Sequence, residues 1–519
     1  MLKDYFKEQI LSNFGHLPTD DQQKTVEELT DFIFSPEATD VFVLRGFAGT
    51  GKTSLIGALV KTMVQLEREC VLLAPTGRAA KVFSLYADHP AFTIHKRIYR
   101  QKSMDQDSSF VLNFNPLKHA LFIVDEASMI QTRPHSLTGE GSGFSVNAGG
   151  SLLEDLITFV YGNLYASALG EGGSGCRLIL LGDTAQLPPV GETDSPALQP
   201  DVLRSYGLTP RMVTMKQIVR QQESSGILWN ATRLRQLLEN ECVYDWPQIR
   251  FAGFADVKNV PGNELIEELA NCYARYGKDE TMVVCRSNKR AIIYNNGIRN
   301  QVLDREEELS SGDYVMIAKN NYYWLQAPSN SPEGVRTQGK RLNPDNANPS
   351  DEEAWKSPSF LANGDIAEIK RIRRERELYG FRFADCVLRL PDYDDYEFEA
   401  TVLLDTLHEE APALTHDRQE SLFQQVLEDY ADIPLKRDRM KALKEDPHFN
   451  ALQIKYAYAV TCHKAQGGQW SHLFIDQGYM TEEMLGPDYY RWLYTALTRA
   501  TNTVYFVNWR PEQTLEQEG

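Results

Sequence analysis

GFAGTGKT, Gly46 to Thr53, decides how the rest of the chain is read. It fits G-x-x-x-x-G-K-[ST], follows the apolar run Val41–Leu44, and leads directly into the helical stretch Ser54–Val64. A strand before and a helix after are the context that a phosphate-binding loop requires. Gly46, Gly49 and Gly51 let the backbone approach phosphate oxygens, while the N–H groups of Phe47, Ala48, Thr50 and Ser54 complete the cradle. Lys52 is placed to reach the β- and γ-phosphates, and the Thr53 hydroxyl to hold magnesium. ATP and Mg2+ are the expected cofactors.

Downstream, LFIVDEAS at Leu121–Ser128 ends a buried strand in two carboxylates, at the sheet edge where nucleotide binds. Asp125 is expected to hold the metal and Glu126 to orient and deprotonate the attacking water. An Asp-Glu pair ending a strand is otherwise a solvated cap. LLGDTAQLPPV at Leu180–Val190 places Asp183 and Gln186 after a third strand. Up to this point any NTPase of the class would fit.

With 519 residues the chain holds about three or four domains. Hydrophobic residues make up 42% and charged residues 24%, near globular averages, which excludes a disordered or collagen-like chain. No apolar run is long enough to cross a bilayer, and the first residues, MLKDYFKEQILSNFGH, lack the unbroken apolar stretch of a signal peptide. A cytoplasmic location without membrane attachment follows as an expectation. The seven cysteines are scattered, with no C-x-x-C pair, and read as reduced thiols, mostly buried. A net charge of −18 means that any nucleic-acid track must be a local groove rather than a basic outer surface.

Short β-branched runs alternating with helical stretches over residues 1–215 predict a mostly parallel sheet covered by helices. A second α/β segment occupies 216–309, with strand and helix at Met282–Arg299, and resumes over 451–519 with strands Ala457–Thr461 and Thr503–Val507. The interruption at 310–450 carries strand-like runs at Tyr314–Ala318, Asp365–Lys370, Phe381–Leu390 and Phe398–Leu404, as in a small β-barrel. His416–Lys444 reads as helical and strongly charged, and Ala327–Pro358 as a polar connection. Within 131–175, glycine-rich tethers flank an amphipathic run from Leu152 to Leu169. Tyr99–Pro116 has the pattern of a β-hairpin turning at Met104–Ser109.

Ten segments in order carry a resemblance: TDDQQ (Thr19–Gln23), GFAGTGKT, APTGRAAK (Ala74–Lys81), TIHK (Thr93–Lys96), VDEAS, GDTAQLPPV, KQIVRQ (Lys216–Gln221), VVCRSNK (Val283–Lys289), TCHKAQGG (Thr461–Gly468) and ALTRA (Ala496–Ala500). Together they resemble superfamily 1 DNA helicases, of the RecD-like and phage Dda-like branch that moves 5′-to-3′. The resemblance implies two RecA-like P-loop lobes with parallel sheets. It also implies a β-hairpin pin in the first lobe and a small β-rich, SH3-like insertion in the second, FLANGDIAEI (Phe360–Ile369) being its clearest match.

Roles follow residue by residue. Gln22 matches the adenine-reading glutamine, although Thr19-x-x-Gln22 is also a helix capping box. Gln186 matches the γ-phosphate sensor, and Arg220 and Arg499 match arginines brought across the cleft to neutralise transferred charge. Thr76, Arg78, Thr93, His95, Thr461, His463 and Lys464 match contacts to strand phosphates; either histidine is alternatively a structural one. Phe110 or Phe114 in the hairpin would stack on a base at a fork, or face the core instead. The sequence departs from the commoner Ser-Glu-Phe-like ending at Gly468–Trp470. The resemblance implies a monomer on single-stranded and forked DNA, working beside replication or repair proteins. An RNA helicase would share nearly every motif; a small-molecule P-loop kinase has no use for TCHKAQGG; a non-catalytic clamp would need broken carboxylates or arginines.

Overall fold

The computed structural model describes residues 2–101, 110–133, 151–162, 174–217, 225–325 and 360–515. They form two compact units, one containing residues up to 286 and from 461 onward, the other containing 287–460.

The first unit is built on two parallel sheets. In chain order the strands of the first are β1 (Asp40–Gly46), β2 (Cys70–Ala74), β3 (Ala91–Thr93), β6 (Leu121–Val124), β7 (Arg177–Gly182) and β8 (Thr209–Met215), arranged β3-β2-β6-β7-β1-β8. Apolar residues occupy both faces of the central strands, so helices must cover both sides. Leu55, Ile56 and Leu59 of helix Lys52–Gln65 pack on Phe42, Leu44, Ile123 and Ile179, each such side chain contributing ~1.5–3 kcal/mol. The strand ends after β1 and β6 therefore bring the glycine-rich loop and the carboxylate pair to one edge. A short hairpin, β4 (Tyr99–Gln101) and β5 (Phe110–Leu112), branches from this layer. Its turn lies outside the described residues.

The second sheet contains β9 (Val257–Val260), β10 (Thr281–Cys285), β17 (Trp470–Asp476) and β18 (Ala500–Val507), in the order β10-β17-β18-β9 with parallel pairing. Strand β16 (Ala459–Thr461) leads the chain back from the second unit to the first. Parallel two-sheet architecture with a small barrel is the expected fold class.

The second unit holds a closed barrel of β11 (Tyr314–Ile317), β12 (Ile366–Leu378), β13 (Phe381–Leu390), β14 (Tyr396–Leu403) and β15 (Leu452–Tyr456). β12 runs past the expected end at Lys370 because β13 pairs with it as far as Leu378, leaving the charged side chains at its far end facing water. β15, which closes the barrel against β11 and β14, lies beyond the expected end of the interruption at residue 450 and was not expected as a strand. Helices His416–Glu428 and Lys436–Lys444 form the expected charged helical region. They pack Leu422, Val426 and Leu443 on Phe381 and Phe383 of β13. The buried Asp313 is bound by Arg299 at 3.0 Å and by Arg305.

Helix Leu152–Tyr161 buries nearly all of its apolar residues and is tied down by Tyr99, whose hydroxyl donates to Asp155 at 2.7 Å. Its expected glycine-rich tethers, and the polar stretch Ala327–Pro358, fall outside the described residues. All seven cysteines are free thiols and only Cys242 is exposed. Among the described residues no helix is long and apolar enough to cross a membrane.

A candidate nucleotide site and strand-contact surface

The loop after β1 closes on itself. Lys52 donates to the carbonyls of Gly46 at 2.5 Å and Phe47 at 3.1 Å, and the Thr50 hydroxyl donates to Phe47 O at 2.8 Å. A Cβ on Gly46 would lie 2.6 Å from Lys52 Cδ, so any other residue would force the lysine side chain to shift. Gly51 takes the left-handed conformation at φ 78° and starts helix Lys52–Gln65, with Thr53 and the exposed Ser54 in its first turn. Gly49 and Ala48 complete the arc.

Thr53 Oγ1 lies 3.4 Å from Asp125 Oδ2, which joins the two expected metal ligands. Burial, followed by the charge of Glu126, pushes the Asp125 carboxyl up to about 6, while Lys52 and Thr53 pull it the other way. Glu126 adopts φ 51°, a left-handed conformation that costs a non-glycine residue roughly 1 kcal/mol. Its N–H donates to Asp125 Oδ1 at 2.8 Å. This backbone turn sends the two neighbouring carboxylates in different directions.

Helix Pro487–Leu497 and the residues just after it face this edge from the second sheet. Arg499, 4% exposed, sits with Nη1 3.2 Å from Glu126 Oε1. Thr495 Oγ1 accepts from Leu187 N at 2.8 Å, and Gln466 donates to Leu187 O at 2.8 Å. The Tyr494 hydroxyl donates to Asp183 Oδ2 at 2.6 Å and accepts from Ala48 N at 3.0 Å. Gln186, one residue before Leu187, is buried, and among the described residues its Oε1 has no partner. Arg220 lies outside the described residues.

Gln22 is 1% exposed, with its amide engaged at both ends: Oε1 accepts from Thr19 N at 2.9 Å and Nε2 donates to Thr50 O at 3.0 Å. The capping box is therefore formed, and contact with an adenine edge requires one of these bonds to be exchanged. Next to it, Asp21 Oδ2 accepts from Lys216 N at 2.7 Å and Gln217 N at 2.8 Å, and Asp21 N donates to Gln217 Oε1 at 3.1 Å.

The strand-contact candidates divide between the two sheets. Thr76 and Thr93 cap helices Gly77–Ala87 and Ile94–Ile98 by accepting from Ala79 N and Lys96 N. His95 is partly buried, with its ring 5.7 Å from that of Tyr99. Across from them, Thr461 precedes the short helix Cys462–Ala465 with no side-chain capping bond, His463 is exposed and Lys464 partly buried. Gly467, at φ 74°, brings TCHKAQGG against APTGRAAK: a Cβ there would meet Ala79 Cβ at 2.8 Å and Thr76 Oγ1 at 2.9 Å. Arg78 donates to Gln469 O at 2.8 Å and lies 4.2 Å over the ring of the buried Trp470. The atypical Gly468–Trp470 ending thus receives Arg78, which was expected to face phosphate. Phe114 is 78% exposed; Phe110 contributes backbone pairing, and its side chain lies outside the description.

Residues 456–507 match the family described as UvrD-like helicase C-terminal domain, and residues 32–138 match a family described as AAA domain. The ATP-dependent RecD2 DNA helicase of Deinococcus radiodurans is 30% identical over 149 residues, 28% of this chain and 16% of that protein. Over these segments the chain is similar to helicases. An uncharacterized protein of Acanthamoeba polyphaga mimivirus is 21% identical over 94% of this chain and 99% of its own length. Pif1 helicase from Bacteroides in complex with ADP-AlF3 and ssDNA aligns over 97% of this chain and 95% of its own, with 14% identity and a TM-score of 0.44. Pif1 from Candida albicans aligns over 97% of both chains, with 15% identity and a TM-score of 0.42.

The motifs alone do not point to Asp21, Tyr494, Thr495 and Gln466 as residues that join the two sheets. Tyr494 and Thr495 stand inside WLYTALTRA, but a tyrosine and a threonine in an apolar helix read equally well as core. The three-residue spacing of Thr19 and Gln22 did announce the capping box.

Proposed function

We propose that this chain is a superfamily 1 DNA helicase of the RecD-like branch, an ATP-driven translocase that moves 5′-to-3′ on single-stranded DNA and opens duplexes at forks. The Arg499–Glu126 contact at 3.2 Å carries the reading. It sets an arginine from the second sheet on the carboxylate that follows the first sheet's β6, so that nucleotide chemistry and the relation of the sheets share atoms.

In this reading Gly46–Ser54 cradles the triphosphate, with Lys52 leaving its loop carbonyls for phosphate oxygens. Thr53 and Asp125 fit a magnesium ion, because a hydroxyl and a carboxylate raised by burial already face each other there. Bound magnesium would supply charge neutralisation on the phosphates. Glu126 orients and deprotonates water, Gln186 uses its unpartnered amide oxygen to follow the γ-phosphate, and Arg499 and Arg220 neutralise the charge that develops on transfer. Gln22 turns to the base by giving up its bond to Thr50. Closing and reopening of the sheets alternates the grip of Thr76, Thr93 and His95 with that of Thr461, His463 and Lys464. Phe114, exposed beside the hairpin, supports strand separation there.

A duplex with a 5′ single-stranded tail should be unwound with ATP and magnesium, whereas one with a 3′ tail should not. Preference for the 3′ tail reverses the polarity, and stimulation of hydrolysis by RNA but not DNA replaces the substrate.

A further inference from the structure

Three arginines are buried among the described residues: Arg235, Arg299 and Arg499, at 7%, 3% and 4% exposure. Arg299 is paired with Asp313 at 3.0 Å and Arg499 with Glu126 at 3.2 Å. Arg235 has no carboxylate partner among the described residues. It projects from helix Gly226–Glu239, and among the described residues its one hydrogen bond is long, from Nη1 to Lys216 O at 3.4 Å. Its buried Nε has no hydrogen-bond partner among the described residues. A guanidinium cannot shed its charge, so burial without a counter-charge is costly.

The position of this unpaired charge indicates what it awaits. Its Cζ lies 4.2 Å from the ring centroid of Phe47, the second residue of the phosphate-binding loop. A ring face attracts a cation but does not neutralise it. The Tyr494 hydroxyl, bonded to Ala48 N in the same loop, is held well above its usual pKa by burial and then by Asp183, and the charge of Arg235 acts on it in the opposite sense. Lys216, whose carbonyl Arg235 touches, is bound through its own N–H by Asp21, beside Gln22 and its bond to Thr50 O.

We infer that Arg235 is a third arginine of the nucleotide site, supplied by helix Gly226–Glu239 to bind the anionic polyphosphate of a nucleoside triphosphate, which is its missing counter-charge. The inference rests on the reading of Gly46–Thr53 as an ATP site. Arg235 differs from Arg499 in what it leaves behind: no carboxylate among the described residues has to be released when nucleotide arrives. Its contribution is to ground-state binding, so its loss changes KM more than kcat.

The test uses the full chain, a fluorescent ATPγS analogue, steady-state hydrolysis and thermal melting without nucleotide. Arg235→Met keeps length and packing but removes the charge. It should weaken analogue binding and raise KM by about tenfold or more, leave kcat within about threefold, and leave the nucleotide-free melting temperature equal or higher. Arg235→Lys should recover part of the affinity. Affinity within about twofold of wild type in Arg235→Met would make the residue a strut against Phe47 and overturn the inference. So would an affinity loss accompanied by a lower melting temperature that Arg235→Lys does not repair. If wild type shows no binding that Lys52→Ala removes, the ATP site itself is wrong, which separates that failure from this one.

Discussion

Tyr494→Phe removes one oxygen from a fully packed position, and the structure sets what that should cost. The lost hydroxyl donates to Asp183 at 2.6 Å and accepts from Ala48 N at 3.0 Å. A bond to a buried carboxylate is worth ~1.5–3 kcal/mol and an orphaned buried N–H adds ~1 kcal/mol, so the variant should lose about 2–4 kcal/mol. Burial already raises the Asp183 carboxyl, and the Tyr494 bond opposes that rise. Without the bond, the carboxyl rises further in the folded state. A raised folded pKa means stability that is present at low pH and lost as pH climbs through it. The deficit of Tyr494→Phe should therefore be larger at pH 8 than near the ordinary carboxylate range. Thermal melting across pH, with Asp183→Asn and the double variant completing a cycle, measures both the loss and the coupling. A Tyr494→Phe chain within about 0.5 kcal/mol of wild type at pH 8, or one whose deficit grows on acidification, refutes the reasoning.

Lys52→Ala and Glu126→Gln should each abolish ATP turnover, but Glu126→Gln should still bind nucleotide; near-normal hydrolysis by it would remove Glu126 as the base. Arg499→Ala should leave ATP affinity largely intact while cutting single-turnover hydrolysis by roughly a hundredfold or more, since its charge counts most in the transition state. Gly467→Ala combines a disfavoured positive φ with a Cβ 2.8 Å from that of Ala79; strand-stimulated ATPase should fall well below wild type while basal ATPase persists, and unchanged stimulation would detach this glycine from strand contact. Replacing Asp105–Leu112 with a short glycine-serine turn should spare DNA-stimulated ATPase but impair duplex opening, and parallel loss of both would make the hairpin purely structural.

Much of the first sheet could be read because each of its strands leads into a motif with its own chemistry. Val41–Leu44 precedes GFAGTGKT and Leu121–Val124 precedes DEAS, so pattern and motif reinforced each other. β15 was obscured for the opposite reason: Leu452–Tyr456 runs into a second strand, Ala459–Thr461, with no turn residue between them to mark two elements. β12 was read too short because five arginines and lysines in KRIRRER look like a solvated loop, whereas pairing to β13 is a backbone property that charge does not forbid. Within the site, GFAGTGKT and the Asp125–Glu126 pair could be located from local spacing. The joining residues could not, because Tyr494 meets Ala48 across 446 positions of sequence, and nothing local in either segment specifies the other. Arg78 shows the same limit: nothing local to its motif announces the ring it lies over, that of Trp470 in TCHKAQGGQW's unusual ending.

The adjacent grips of Asp21 and Gln22 have a mechanical consequence. One residue holds the backbone where the chain leaves β8 for the second sheet, and the next holds the carbonyl of Thr50 in the phosphate loop. Both sit in the first turn of a single capped helix, Asp20–Ile33. The phosphate loop and the crossover are therefore linked through one peptide bond as well as through the pairing of Gly46 with Met215. Thr19, which caps that helix, therefore holds the turn that carries both grips.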